Sequence, residues 1–525
     1  MKKWKTSLLG LTLSAVVLVT LSACGSGNAS TDEKSGDSKG FTLLSPDHSA
    51  DHPKNKDLWM WKEYEKKTGV PITWQETKDI NEKKNLLLSE SQLPDAFYQV
   101  YWTSDELVKY GGQGMFQPIE DLIEKHAPNF NKLMEEHPEI RKSITAPDGH
   151  IYFLPELSID PQIMGLTFRY YINQEWLDKL GLEKPRTTEE LKEVLTQFVT
   201  KDPNGNGKAD EQGWYMNSGE LPNSFEKLLM AAYGMGTGGR TGIESSVYYE
   251  KDGSMQLTLN SDRMKDVWKY EADLYQNGLM SKNTFAGADG DKWRADAANN
   301  TVGLWTWVSP EFIGGSVQEK YTPINIIAGP EGDKSLVING PVGTSGLVIT
   351  KDCKDPGKLL EWTDYWYSQE GSDFGYLGEE GVTYHKVGDK NVYVDKILNY
   401  DKGAQLGAYQ YLDNVYGGGY PYLNPNQANR DIAQGLEPIK YDDFNEDVMP
   451  EKMLSPVMPT PEESGQLSTI MTDMNNYVEQ SRVKFVTGEW NFTSDWDKYV
   501  KQLKKIGSEK LLEIRRTQYE RYDKE

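Results

Sequence analysis

One short loop, "DPNGNGKADEQG" beginning at Asp202, concentrates hard oxygen donors within a few residues. Asp202, Asn204 and Asn206 alternate, Gly207 stands where a sharp turn is needed, and the Lys208 backbone carbonyl offers a further oxygen. A tight turn points alternate side chains inward, so donors at every second position can converge on one calcium ion. The twelfth position, where an EF-hand carries a bidentate glutamate, is Gly213, leaving Asp210 and Glu211 to complete the shell. The stretch "GWYMNSGELP" that follows has no helical pattern, so the helix-loop-helix that opens on calcium is missing. Calcium here is expected to be structural, and the alternative is an Asx-type turn without metal.

Catalytic arrangements are scarce elsewhere. HExxH and Walker patterns are absent, and the six histidines (His48, His52, His126, His137, His150, His385) show no ligand spacing. "GMGTGG" at Gly234 satisfies GxGxxG formally, but the preceding "FEKLLMAAY" has a helical pattern where a dinucleotide fold needs a strand. A glycosidase needs only two carboxylates, and 80 acidic residues keep that reading open. Rings are more informative: 30 Tyr against 14 Phe, with 15 Trp, favours aromatic side chains with one polar edge in water, as a sugar or peptide cleft requires. They gather in "FYQVYWTS" from Phe97, "RYY" from Arg169, "GLWTWVSP" from Gly303 and "NVYGGGYPYL" from Asn414, near strand ends or in Gly/Pro-rich loops.

The elements around these groups begin with a basic start (Lys2, Lys3, Lys5) and an apolar run, Leu8 to Leu21, too short to span a bilayer. This reads as an export signal over 1–23. "LSAC" at Leu21–Cys24 resembles a lipobox, which implies acylation of Cys24 and stable anchoring by its acyl chains. Cys353 is then the one remaining thiol, so no intrachain disulfide is expected. Residues 24–40 are small and polar, a flexible tether. Loss of Lys2, Lys3 and Lys5 with the signal takes the formal charge from −23 to −26, which disfavours nucleic acid and anionic lipid as partners. From Phe41 strands and helices alternate ("FTLLS", Asp57 to Thr68, "VPITWQ", Asn81 to Ser89, "PDAFYQV"), which predicts a parallel sheet flanked by helices. Thr187 and Glu190 form a capping box before the stripe Leu191, Val194, Leu195, Phe198. A second stripe runs through Trp496, Tyr499, Val500, Leu503 and Ile506.

Five stretches together resemble the solute-binding lipoproteins of bacterial ABC importers for oligosaccharides, the group with maltose-, alginate- and LplA-like binding proteins. They are "LLLSESQLPDAF" (Leu86), "GMFQPIEDLIEKHAPN" (Gly114), "PDGHIYFLP" (Pro147), "YYINQEWLDKLGLEKPRTTEEL" (Tyr170) and "KFVTGEW" (Lys484). The resemblance implies an α/β, two-lobed type II periplasmic-binding fold with parallel-rich sheets and a hinge. It places lobe one over 41–160 plus 329–387 and lobe two over 161–328 plus 388–525, with crossings near Ser158, Ala328 and Val387. Alginate-binding relatives hold calcium in a DxNxNGKxDE loop, which Asp202, Asn204, Asn206, Lys208, Asp210 and Glu211 match. "GLWTW" stands where maltose-binding relatives carry a stacking tryptophan, implying Trp305 and, next to it, Trp307, although Leu304 replaces the proline of that motif. Trp102, Tyr170 and Tyr420 are further candidates for stacking, with Asp95 and Arg169 as polar contacts. The implied protein is a non-enzymatic, monomeric receptor on the outer face of the cell membrane, held there by its lipid anchor alone, which passes an oligosaccharide to an ABC permease. A surface glycoside hydrolase and a peptide receptor of the same fold are the alternatives.

Overall fold

The computed structural model describes residues 40–48, 52–90, 92–160, 169–215, 226–235, 247–250, 252–285, 290–307, 319–334, 340–413, 420–435 and 454–524. The leader, Cys24 and the tether up to Ser38 lie outside the described residues. Thirteen strands are described: β1 (Phe41–Pro46), β2 (Ile72–Thr77), β3 (Ala96–Tyr101), β4 (Leu154–Leu157), β5 (Arg169–Asn173), β6 (Gln212–Trp214), β7 (Val247–Tyr249), β8 (Met255–Leu257), β9 (Val302–Trp307), β10 (Tyr321–Pro323), β11 (Val342–Ile349), β12 (Tyr384–Val387) and β13 (Lys390–Tyr393).

A first sheet runs in the order β2-β1-β3-β11-β4. Its β1 pairs in parallel with β2 and β3, as the alternating pattern predicts, while β11 runs antiparallel to both β3 and β4. β3 is buried at every residue but its last, as a strand covered on both faces should be. β11 approaches β4 so closely that a Cβ on Gly346 would lie 2.0 Å from the Leu154 carbonyl oxygen, so glycine is required there. The second sheet, β10-β5-β9-β6, is more mixed than parallel-rich: β5 pairs antiparallel with β9 and β10, and only β6 runs parallel to β9.

Each sheet has its own core. The first core collects residues from Phe41 to Leu157, from Val342 to Ala433, and Met458. Tyr170 to Ile327 and Leu454 to Ile514 supply the second. The chain therefore passes between cores after Leu157 and after Ile327. Tyr393, Ile397, Ala408, Leu412 and Tyr420 all lie in the first core, well past Val387, where a crossing was expected. The cause is the β12–β13 hairpin, in which Val387 pairs with Lys390 around Gly388 at φ 62°, turning the chain back onto the same core. Tyr393 then donates a 2.5 Å hydrogen bond to the Tyr376 carbonyl. The crossing segments lie side by side: Ser158 N–H donates to the Pro341 carbonyl at 2.9 Å, and a Cβ on Gly340 would meet Ser455 Oγ at 2.6 Å.

Local signals govern the helices. The Thr187 hydroxyl accepts from Glu190 N–H at 3.1 Å, and Leu191, Val194, Leu195 and Phe198 are all buried on the helix Thr188–Thr200. Trp496, Tyr499 and Leu503 are buried as the second stripe predicts. The long helix Pro461–Thr487 starts from a full Thr460/Glu463 capping box and is tied to the helix Asp262–Gln276 by a buried, bidentate Arg482–Glu271 pair at 3.1 Å. Among the described residues no helix is long and apolar enough to cross a membrane.

Candidate ligand-binding site

Open α/β sheets present ligands beyond the carboxyl ends of their parallel strands. At that end of β1 and β3 the chain carries a cluster of polar and aromatic side chains. His48, two residues past β1, has its Nε2 2.5 Å from Gln99 Oε1 on β3. Gln99 sits at φ 59° where the β3/β11 register shifts, a bulge that turns its side chain toward His48 and costs a non-glycine residue about 1–3 kcal/mol. Behind them His52 lies on the Tyr409 ring, centroids 3.7 Å apart, and meets His48 edge-on at 5.6 Å. Asp413, fully buried, accepts hydrogen bonds from Trp61 Nε1 and the Tyr420 hydroxyl, both at 3.2 Å. Burial pushes its carboxyl up to about 7, against those two bonds. Burial, with the charge of His48 next, pushes His52 down to about 3, so the His52 imidazole 3.6 Å from Asp413 is neutral rather than an ion-pair partner.

A second polar group lines the same end through β4. Asn424 donates from Nδ2 to Glu156 Oε1 at 2.7 Å and to Ser158 Oγ at 2.8 Å, while the Tyr422 hydroxyl donates to Asn424 Oδ1 at 2.6 Å. Tyr101, ending β3, is 56% exposed and leaves a ring at this rim. Composition and spacing gave no weight to His48, His52, Gln99, Asp413, Glu156 or Asn424, whereas Tyr101 falls in the ring-rich stretch from Phe97. The available signal was position: "PDHSADHP" follows immediately on a strand end, where histidines need no metal-ligand spacing to meet a guest.

Most of the residues singled out from sequence fall elsewhere. Asp95 accepts from Thr42 N–H at 2.8 Å, at the amino ends of β1 and β3, so it ties strands together on the side away from the crevice. Trp102, 2% exposed, is a core ring between Phe97 and Phe116, with Lys84 Nζ 4.7 Å over its face. Tyr170 packs edge-on to Trp214 in the second core. Tyr420 belongs to the crevice cluster, but as a buried hydrogen-bond donor rather than a stacking face. Arg169 and Trp307 pair in register across β5 and β9; their side chains lie outside the described residues.

Trp305 is 1% exposed, in a small cluster of Tyr171, Tyr215, Trp293, Ala297, Val302 and Tyr321 on the face of β5/β9 away from the second core. Its register partner Tyr171 stacks on it at 5.0 Å, Trp293 lies at 5.2 Å and Tyr321 meets it edge-on at 5.5 Å. Period-2 alternation explains the division, since Tyr170, Ile172 and Leu304 point into the core while Tyr171 and Trp305 point the other way. In this conformation the indole has no open face for a guest, against the expectation of an exposed stacking platform.

The Asp202 loop is drawn inward. Asp202 itself has φ 48°, with Gly205 and Gly207 both at 73°, and its carboxylate accepts from the N–H groups of Asn206 (3.1 Å) and Gly207 (3.0 Å). Asn204 and Asn206 donate side-chain N–H to Asp210 at 3.2 and 3.0 Å. Glu211 Oε1 is buried with no hydrogen-bond partner among the described residues, and burial first, then the charges of Asp202 and Asp210, raise its carboxyl. These are marks of a site that fits a cation: negative charge is concentrated, one buried oxygen is unused, and rotating two carboxamides by half a turn would replace N–H with oxygen. No glutamate could stand at the twelfth position, because a Cβ on Gly213 would lie 2.3 Å from the Leu279 carbonyl oxygen. Among the described residues no group of three or more His, Cys, Asp or Glu is by itself arranged to hold a metal.

Two sheets with separate cores, adjoining connections, and a polar and aromatic cluster at the carboxyl ends of the first sheet's strands accord with a two-lobed solute receptor. The chain belongs to the bacterial extracellular solute-binding protein family, whose model matches residues 50–373. It is 30% identical, over 99% of both chains, to the fructooligosaccharide ABC transporter substrate-binding protein FusA of Streptococcus pneumoniae. It is 26% identical, over 74% of this chain and 75% of the other, to the polygalacturonan/rhamnogalacturonan-binding protein YtcQ of Bacillus subtilis. FusA solved with kestose superposes with a TM-score of 0.75 at 28% identity, over 92% of this chain and 99% of that one. An EF-hand mutant of FusA with fructo-nystose gives 0.73 at 27% identity over the same shares.

Proposed function

We propose that this chain is the substrate-binding subunit of an ABC importer, capturing an oligosaccharide between its lobes and delivering it to a membrane permease. The observation that carries this reading is the pair of polar groups at the carboxyl ends of β1, β3 and β4, His48 with Gln99 and Glu156 with Asn424, beside the exposed Tyr101, in a chain alike over nearly its full length to an oligosaccharide receptor. Lobe one comprises the residues of the first core, with the chain leaving it for good only after Met458, and lobe two those of the second. Only the closed form contacts a guest from both lobes, so binding shifts the hinge equilibrium by the difference in affinity between the two forms. No bond in the sugar is broken, and the chain acts as a monomer.

In this reading Cys24 carries the acyl anchor on the outer face of the cell membrane, and residues 25–40 give the body its reach. Calcium would be held by Asp202, Asn204, Asn206, Asp210, Glu211 and the Lys208 carbonyl, where it neutralises the concentrated carboxylates and fixes the loop. The direct test is a melting-temperature screen against mixed oligosaccharides with the sugars analysed afterwards. A ligand-dependent rise with intact sugars is expected; released reducing ends would point to a hydrolase instead, and a rise with peptides alone to a peptide receptor.

A further inference from the structure

The last helix, Ser508–Tyr522, is seated in the second lobe by Leu511 and Ile514, both buried in its core. Its final turns reach further. The Tyr519 hydroxyl donates to the Ser455 carbonyl at 3.1 Å and Arg521 Nη2 to the Met458 carbonyl at 3.0 Å, both on the segment by which the chain finally leaves the first lobe. Arg521 also holds Glu463, at the start of the helix Pro461–Thr487, through both carboxylate oxygens at 3.0 and 2.9 Å. From the first lobe, Lys142 on the helix Pro138–Ile144 donates to the Tyr522 carbonyl at 3.3 Å, with its Nζ 5.6 Å from that ring's centroid. One helix therefore grips both lobes and the segment between them.

A second meeting point lies at Arg515, about 10 Å along the helix axis from Tyr522. There the first-lobe helix Ser104–Gly112, with Leu107 and Val108 buried in the first core, presents Asp105. Burial raises the Asp105 carboxyl, Glu106 adds to the rise, and a bond to the Ser464 hydroxyl of the helix Pro461–Thr487 and the nearby Arg515 charge oppose it. The two opposite charges nevertheless stay unjoined. Asp105 Oδ1 and Arg515 Nε are each buried without a hydrogen-bond partner among the described residues, and Arg515 Nη1 is turned to Gln518 Oε1 at 2.9 Å on its own helix. Each such orphan costs stability, and each is the atom the other lacks. Lobes that turn about the Ser455–Met458 segment change their spacing at Arg515 and at Tyr522 by different amounts, so this boundary tells one hinge orientation from another. We propose that Asp105 and Arg515 form an inter-lobe latch, unmade in the orientation described and joined in the receptor's second hinge orientation, so that the pair helps set the balance between the two. This rests on the transport reading, which requires two orientations, and adds to it the residues that weight them.

Double electron–electron resonance on the full-length protein tests it, with spin labels at two exposed positions, Lys132→Cys in lobe one and Lys501→Cys in lobe two. Without sugar, Asp105→Asn and Arg515→Gln should each move the distance distribution in the same sense. The double variant should move it no further than either single, because either change removes the same bond. Where kestose binds, calorimetric titration should follow the same pattern, each single changing the affinity about threefold or more in one common direction and the double matching them, since apparent affinity scales with the population of the competent orientation. Distances unmoved in both singles, shifts that add in the double, or kestose affinity equal to the parent's in both singles would overturn the latch. A changed melting temperature with unmoved distances would mark a static contact and overturn it as well. Failure of kestose to bind the parent would count against the sugar reading, while the sugar-free distances would still decide the latch.

Discussion

The first lobe's crevice and the second lobe's ring cluster are built from similar residues to opposite ends. Around Asp413 rings serve as scaffolding for polar atoms: Trp61 and Tyr420 spend their N–H and O–H on a carboxylate, and Tyr409 supports a neutral imidazole. Around Trp305 the rings mainly meet one another, and the indole Nε1 is buried without a hydrogen-bond partner among the described residues. The first arrangement keeps strained and partly satisfied polar groups in place, which folding alone does not favour. Density of aromatic residues thus marks packing as readily as binding, and a strained polar residue at a strand's carboxyl end is the better pointer to a guest.

The comparison breaks most easily at Trp305. As a packed ring, Trp305→Ala should cost about 3–5 kcal/mol of unfolding free energy and leave glycan affinity within roughly twofold. Denaturant unfolding and calorimetry on the same preparation check this, and lost affinity with intact stability would move the ring into the crevice. Next comes the crevice's protons. Asp413 has a folded pKa above its unfolded value, so its ionisation removes stability as pH rises from about 4 to about 7. His52 has a folded pKa below its unfolded value, so its contribution is present above about 6.5 and is lost as pH falls toward about 3. The two slopes oppose one another between these limits. Asp413→Asn removes one of them, and melting temperature should then fall on acidification below pH 6.5 more steeply than in the parent.

A smaller effect is expected at the Asp202 loop, which follows the capped helix of the second lobe. Chelation should lower the melting temperature by a few degrees, on the order of 1–2 kcal/mol in a chain this large, without abolishing sugar affinity. Superimposable melting curves with calcium and with chelator would remove metal from the loop. Smallest of all, Thr103→Ala in lobe one and Thr187→Ala in lobe two should each cost about 1 kcal/mol, since both hydroxyls accept from the N3 backbone N–H at 3.1 Å. Equal losses would show that the lobes differ in their sites and not in their helix ends.

Much of the fold was legible because it rests on local pattern. The stripes at Leu191–Phe198 and Trp496–Leu503, the cap at Thr187 and the parallel β1–β3 strands follow from spacing that neighbours alone decide. The return of Tyr393 to Ala433 to the first core was not, because it turns on the two-residue hairpin loop at Gly388 and Asp389, a weak signal inside a polar stretch. The candidate site was legible least. Whether Asp95 lies at the open or the closed end of the sheet depends on strand direction, and whether Trp102 or Trp305 is exposed depends on what distant helices and strands lay over it. His48 and Gln99 are brought together by a bulge whose strain no composition records.

The place of β11 has a consequence for how the molecule comes into being. That strand fills the gap between β3 and β4, yet it is synthesised only after the Tyr170–Ile327 part of the second core has been laid down. Until it arrives, β3 and β4 face each other across an empty slot, with unpaired backbone on both margins. The first lobe must therefore stay unfinished through most of translation, and its late closure by a long-range pairing favours slow acquisition of structure. For a chain threaded through a membrane before it folds, such delay is an advantage.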